Sequence, residues 1–121
     1  MSWFSNKSNF VWQNLNNNSS IQQIILDSDK VPQIIFKHST RCSISSMALN
    51  RFEREWDQEV KAQLHYLDLI AFRSLSNEIA EKLNVEHQSP QVILLINGSV
   101  HYTASHNGIS ANEILKLIIN S

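Results

Sequence analysis

Short apolar runs alternate along this chain with stretches in which apolar residues recur every three or four positions. Gln33–His38 (Q-I-I-F-K-H), His65–Ile70 (H-Y-L-D-L-I) and Val92–Ile96 (V-I-L-L-I) are the short runs. Runs of that length, bounded by polar or turn residues, read as strands. The periodic stretches read as helices, each with one buried stripe. These stripes are Ile21, Ile24, Ile25 and Leu26; then Ile44, Met47, Ala48, Phe52 and Trp56; then Ile79, Ala80 and Leu83; then Ile114, Leu115, Leu117 and Ile118. Ser19 or Ser20 is placed to cap the first helix and Ser74 or Ser76 the third. Ser110 and Glu113 have capping-box spacing for the last. A serine oxygen at such a position accepts from a free backbone N–H of the first turn.

Turn residues order these elements. Pro32 precedes the first strand and Pro90 opens the third, where a missing N–H is tolerated. Asn97-Gly98 is a strong hairpin signal, because both residues accept positive φ, and Val100–Ala104 is the return strand. From residue 33 the order is β-α-β-α-β-β-α. The first two strands, joined through a helix, are parallel by a right-handed crossover. The last two form an antiparallel pair. The expected fold is therefore α/β and thioredoxin-like: a mixed four-stranded sheet, helices on both faces, and one extra helix in front. Residues 1–121 make one domain. Residues 1–18 are an N-terminal extension carrying Trp3, Phe4, Phe10 and Trp12 ahead of a polar Asn16–Ser20 loop.

Composition narrows the function classes. The 121 residues are 42% hydrophobic and 17% charged, which suits a folded domain with a core. Ten basic against eleven acidic residues give a net charge of -1. That balance offers no cationic surplus for a phosphate backbone or an anionic membrane, so neither nucleic acid nor membrane is an expected partner. No apolar run approaches the roughly 20 residues that span a bilayer, and Met1–Phe10 has no signal-peptide core. The expected location is cytoplasmic.

The single cysteine, Cys42, excludes an intramolecular disulfide. A lone thiol in a reducing compartment is usually buried and inert. This one lies where a strand ends and a helix begins. A helix start offers unpaired N–H groups and a partial positive charge, and both favour thiolate, the attacking species in thiol–disulfide exchange. Lys37, His38 and Arg41 are close in sequence and are expected to add positive charge to the same effect. Ser45 stands three residues on, where a C-x-x-C protein carries its resolving thiol. A hydroxyl can donate to a thiolate but cannot resolve a mixed disulfide, so a reactive Cys42 needs an external thiol. Ser89-Pro90 leads into the third strand on the side of the cysteine loop; composition alone favours a trans bond there. Five histidines are scattered without metal-ligand spacing, so no metal site is expected and each reads as a surface or capping residue.

Several stretches together resemble one family: F-K-H-S-T-R-C-S-I-S (Phe36–Ser45), Leu75-Ser76, N-V-E-H-Q-S-P-Q (Asn84–Gln91), Asn97-Gly98 and H-N-G-I (His106–Ile109). The chain is similar to the YtxJ-type monothiol bacilliredoxins, thioredoxin-fold proteins of the bacillithiol system, from about Trp12 onward. The family's usual T-C-P-I-S has Arg41 in place of Thr and Ser43 in place of Pro here. The resemblance implies Cys42 as nucleophile, with Ser45 supporting it. It also implies substrate contacts at Arg41, Ser43, Ser89 and Pro90, and a cis bond before Pro90. By the same resemblance the co-substrate is bacillithiol or a similar small thiol, with no tightly bound cofactor. The partners are S-thiolated proteins and small thiols, and two chains can link through Cys42. His87 and His106 match family positions without an evident role.

Two other classes stay compatible with the residues. One is a monothiol-glutaredoxin-like iron–sulfur carrier or redox sensor, although C-G-F-S is missing. The other is a redox-silent thioredoxin-fold interaction module.

Overall fold

Every position of Gln33–His38 and of Gln91–Ile96 is buried, and these two runs are neighbouring strands at the centre of a five-stranded sheet. The structure, a computed structural model, describes residues 11–120. Trp3, Phe4 and Phe10 of the expected aromatic leader lie outside the described residues. The elements are β1 (Gln13–Asn14), α1 (Ile21–Asp27), β2 (Gln33–His38), α2 (Ser43–Glu55), β3 (Gln63–Asp68), α3 (Arg73–Leu83), β4 (Gln91–Ile96), β5 (Ser99–Ser105) and α4 (Ala111–Ile119). A 3₁₀ turn, His106–Gly108, joins β5 to α4.

The sheet order is β1-β3-β2-β4-β5. β2 runs parallel to β3 and antiparallel to β4, and β4 pairs antiparallel with β5. This is the expected mixed sheet with one strand added. β1 lies parallel to β3 at the edge, pairing Gln13 with His65 and Asn14 with Tyr66. Two exposed polar residues carry no period, so nothing in the pattern marks them as a strand.

Alternation along the strands sends side chains to two cores, one on each face. Ile34, Phe36, Val92 and Leu94 join Ala48, Phe52 and Trp56 of the α2 segment and Ile114 of α4. Ile35, Leu67, Ile93 and Leu95 join Ile21 and Ile24 of α1 and Leu75 and Ile79 of α3. On the first face Phe52 meets Phe36 edge-on at 5.5 Å and stacks on Trp56 at 5.5 Å. Burying each such ring stabilises by roughly 1.5–3 kcal/mol.

Local expectations fared according to how local their causes are. Ser20 caps α1, accepting from the Gln23 N–H, and Ser110 caps α4, accepting from the Glu113 N–H. Asn97 and Gly98 both take positive φ, 53° and 79°, as the tight hairpin requires. β3 starts two residues earlier than expected, where Gln63 pairs with Gln33, and ends two residues earlier, because the Asp68 carboxylate accepts the Ile70 and Ala71 N–H groups and turns the chain. Neither Ser74 nor Ser76 caps α3. Phe72 is its N-cap, without a side-chain bond, and Ser76 is buried inside the helix. In α2, Ala48, Phe52 and Trp56 are buried as expected, but Ile44 and Met47 are 53% and 66% exposed. The buried stripe runs through Ser45, Ala48 and Phe52 instead. At about 100° per residue, Ile44 and Met47 fall on its flank.

Candidate active site

β2 ends at His38, and a short turn carries the chain into α2. The Cys42 N–H donates to the Ser39 carbonyl at 3.1 Å, closing the turn. Cys42 is the N-cap of α2: its backbone is extended (φ -113°, ψ 121°), and its carbonyl accepts the Ser46 N–H at 3.1 Å. Its side chain makes no capping bond, and the residue is part-exposed. The sulfur therefore sits free at the positive end of a 13-residue helix. Arg41 and Ser43 flank it and are exposed.

Ser45 is fully buried. Its hydroxyl oxygen accepts the Ser39 N–H at 3.1 Å and lies 2.7 Å from His38 Nδ1. The structure thus joins Ser45 to the turn and to His38; among the described residues none hydrogen-bonds the Cys42 sulfur. His38 is 5% exposed, against the expectation of a surface histidine, because alternation along β2 turns it inward onto α2. Burial pushes its pKa below the ordinary value, partly offset by Asp68 and Glu53. Its ring packs against Tyr66 at 5.6 Å.

The second loop at this end of the sheet leads into β4. Lys37 pairs with Gln91 across β2 and β4, which brings Pro90 beside the end of β2, where the cysteine turn departs. The Ser89–Pro90 bond is cis, as the family resemblance implied and composition alone did not. Pro90 is buried; the Ser89 hydroxyl is enclosed and has no hydrogen-bond partner among the described residues. The His106 N–H donates to the Pro90 carbonyl at 3.1 Å, so the turn after β5 is fastened to the same loop. Gln91 braces it, donating from Nε2 to the Glu86 carbonyl at 2.9 Å.

Lys37 was expected to lend charge to the cysteine. It faces the other side of the sheet, because odd positions of β2 point toward α3. It is wholly buried; its Nζ donates to the Ser76 carbonyl at 3.1 Å and lies 3.3 Å from His87 Nδ1. Burial lowers its pKa from 10.5 to about 8. His87 is also held below its ordinary value, first by burial and then by the Lys37 and Arg73 charges. A neutral His87 accepts from the ammonium at Nδ1, with the Ser76 hydroxyl 3.4 Å from the same atom. His87, without a role in the sequence, is thus the link between β2 and the cis-proline loop. A lysine inside an apolar strand was its only sequence signal. His65, likewise read as a surface residue, is 4% exposed, with Nε2 2.7 Å from Gln33 Oε1 and a pKa lowered to about 4 by burial.

No helix among the described residues is long and apolar enough to cross a membrane. Known proteins place this geometry. A solved structure described as a proposed oxidoreductase with a thioredoxin fold is 28% identical, over 93% of this chain and 96% of that one, with a TM-score of 0.73. Malassezia sympodialis thioredoxin matches at 15% identity over 91% of this chain and 90% of its own, TM-score 0.65. Thioredoxin F from spinach chloroplast matches at 15% over 89% and 84%, TM-score 0.64. At that identity these two show the fold alone. The family model for the monothiol bacilliredoxin BrxC matches residues 13–114, which take in the cysteine turn, the Lys37–His87 link and the cis-proline loop. The chain belongs to the monothiol bacilliredoxin BrxC family.

Proposed function

We propose that this protein removes a low-molecular-weight thiol, bacillithiol, from S-thiolated proteins by thiol–disulfide exchange at Cys42. The observation that carries the reading is a free, part-exposed sulfur at the N-terminus of α2, with buried Ser45 at the resolving position. The Cys42 thiolate attacks the small thiol's sulfur in the mixed disulfide. A Cys42–small-thiol bond forms, the bond to the client protein breaks, and its electron pair leaves on the client sulfur, which takes a proton from water. A second free small thiol, as thiolate, then attacks the Cys42 adduct. The symmetric small-thiol disulfide departs and the Cys42 thiolate returns. Ser45 holds Ser39 and so shapes the turn. Arg41, Ser43 and the Ser89–Pro90 backbone bound the space around the sulfur and contact the client.

A client carrying one bacillithiol mixed disulfide tests this, with free bacillithiol supplied. Wild type should release the client thiol at least about a hundredfold faster than Cys42→Ala, since removing the nucleophile removes the covalent route. Equal rates for the two proteins would overturn the reading.

A further inference from the structure

Thiol exchange alone does not explain why α2 presents two large apolar side chains and an arginine to solvent just past the nucleophile. Ile44, Met47 and Arg51 fall on one flank of the helix and face the turn after β5. With His106 and Asn107 they line a groove of about 270 Å³ that contains no acidic residue. Arg51 is anchored there: its Nη2 donates to the Ile109 carbonyl at 3.2 Å and reaches the His106 carbonyl at 3.5 Å. Among the described residues none accepts from its Nε or Nη1 N–H groups. Among the described residues the ion pairs are Lys82–Glu78 and Lys116–Glu113, so no carboxylate neutralises Arg51. A guanidinium fixed by carbonyls, with donors to spare and apolar walls beside it, is built to take a carboxylate.

The spacing also fits. At a rise of 1.5 Å per residue, Met47 lies roughly 7 Å and Arg51 roughly 13 Å along the axis from Cys42. Helical side chains lean toward the N-terminus, which brings the guanidinium back toward the sulfur. A thiol with a carboxylate on the order of 10 Å from its sulfur bridges the two.

We propose that Arg51 binds a carboxylate of the small thiol that Cys42 accepts, so that the groove selects anionic low-molecular-weight thiols. The proposal rests on the reading of Cys42 as an exchanging thiol. An arginine serving only to tie down the turn would affect all thiols alike.

The test compares two disulfides of the same sulfur and length: glutathione disulfide and its tetraethyl ester, whose carboxylates are blocked. In each case the Cys42 thiolate takes one half of the disulfide as an adduct, glutathione or its diethyl ester, and releases the other half as thiolate, followed by intact mass. Wild type should favour the free acid by roughly tenfold, the size of an exposed charge-assisted hydrogen-bonded pair. Arg51→Gln should bring the ratio close to one. Met47→Glu should do the same from an already exposed position: a glutamate four residues before Arg51 pairs with its free N–H groups and repels an incoming carboxylate. Lys61→Gln, the same charge change at the far end of the sheet, should keep the wild-type ratio. A wild-type ratio near one, or a preference surviving both groove substitutions, overturns the role of Arg51 while leaving Cys42 reactive. Failure of Cys42 to react with either disulfide overturns the exchange reading, and this one with it.

Discussion

Lys37 and His38 are consecutive residues at the end of β2, both sealed from solvent, and they hold the two loops of the site by different means. His38 faces α2 and meets Ser45 seven residues on, so the cysteine turn is fastened by a bond within its own stretch of chain. Lys37 faces α3 and reaches Ser76 and then His87, 50 residues away, next to the cis-proline loop. The first contact is between neutral partners at 2.7 Å and costs little once made. The second buries a cation with no carboxylate partner, which strongly disfavours its charged form. A methionine in that place would pack without the penalty. The contrast teaches that the Lys37 arrangement serves the position of the cis-proline loop rather than the stability of the fold.

The largest expected effect tests that contrast directly. Between about 8, the folded value, and 10.5, the unfolded one, the unfolded chain binds more protons at Lys37 than the folded chain does. Wild type therefore gains stability as pH rises through that window, by up to about 3 kcal/mol. Lys37→Met lacks this gain. Its stability relative to wild type, from urea unfolding, should fall by about 3 kcal/mol between pH 7.5 and pH 10.5. A difference that does not change with pH would show that Lys37 carries no burial penalty, and the two anchors would then be alike.

A smaller effect asks whether the anchors are independent. His38→Leu and Ser45→Ala each leave a buried polar partner unsatisfied, at about 1–3 kcal/mol apiece. Combined, they should show a coupling of about 1 kcal/mol, because the second change removes the group that the first left orphaned. Lys37→Met and Ser45→Ala act on opposite faces and should add within about 0.5 kcal/mol. Strong coupling across the sheet would mean one network rather than two.

The same contrast explains what could be read from the chain alone. Ser20, Ser110, Asn97-Gly98 and the runs at 33–38 and 92–96 act through neighbours or through continuous burial, and the amino-acid pattern carries both. Cys42 was legible at a strand–helix junction for the same reason. The surroundings of Cys42 were not. The proximity of Pro90 depends on the β2–β4 register, and the Lys37–His87 link closes a loop of 50 residues. Ile44 and Met47 fit a helical period, but periodicity does not say which flank finds a covering layer, and here the layer begins at Ser45. Ser76 looked like a cap because serine often is one; α3 starts at Phe72, which leaves Ser76 in the helix interior to offer its carbonyl to Lys37.

The smallest expected effect lies on the acid side, at His38. Burial lowers its pKa, and Asp68 and Glu53 oppose that shift. The folded chain keeps His38 neutral where the unfolded chain has begun to protonate it. Stability contributed by the neutral ring is complete above about 6.5 and is lost as pH falls below it. His38→Leu removes that loss, so the wild-type deficit on moving from pH 7 to pH 5 should shrink in the variant. His65 and His87 are depressed in the same direction and remain in both proteins, so they cancel from the difference. An acid deficit unchanged by His38→Leu would place the acid sensitivity at His65 and His87. The neutral, local character assigned to the His38 anchor would then fail, and with it the distinction from Lys37.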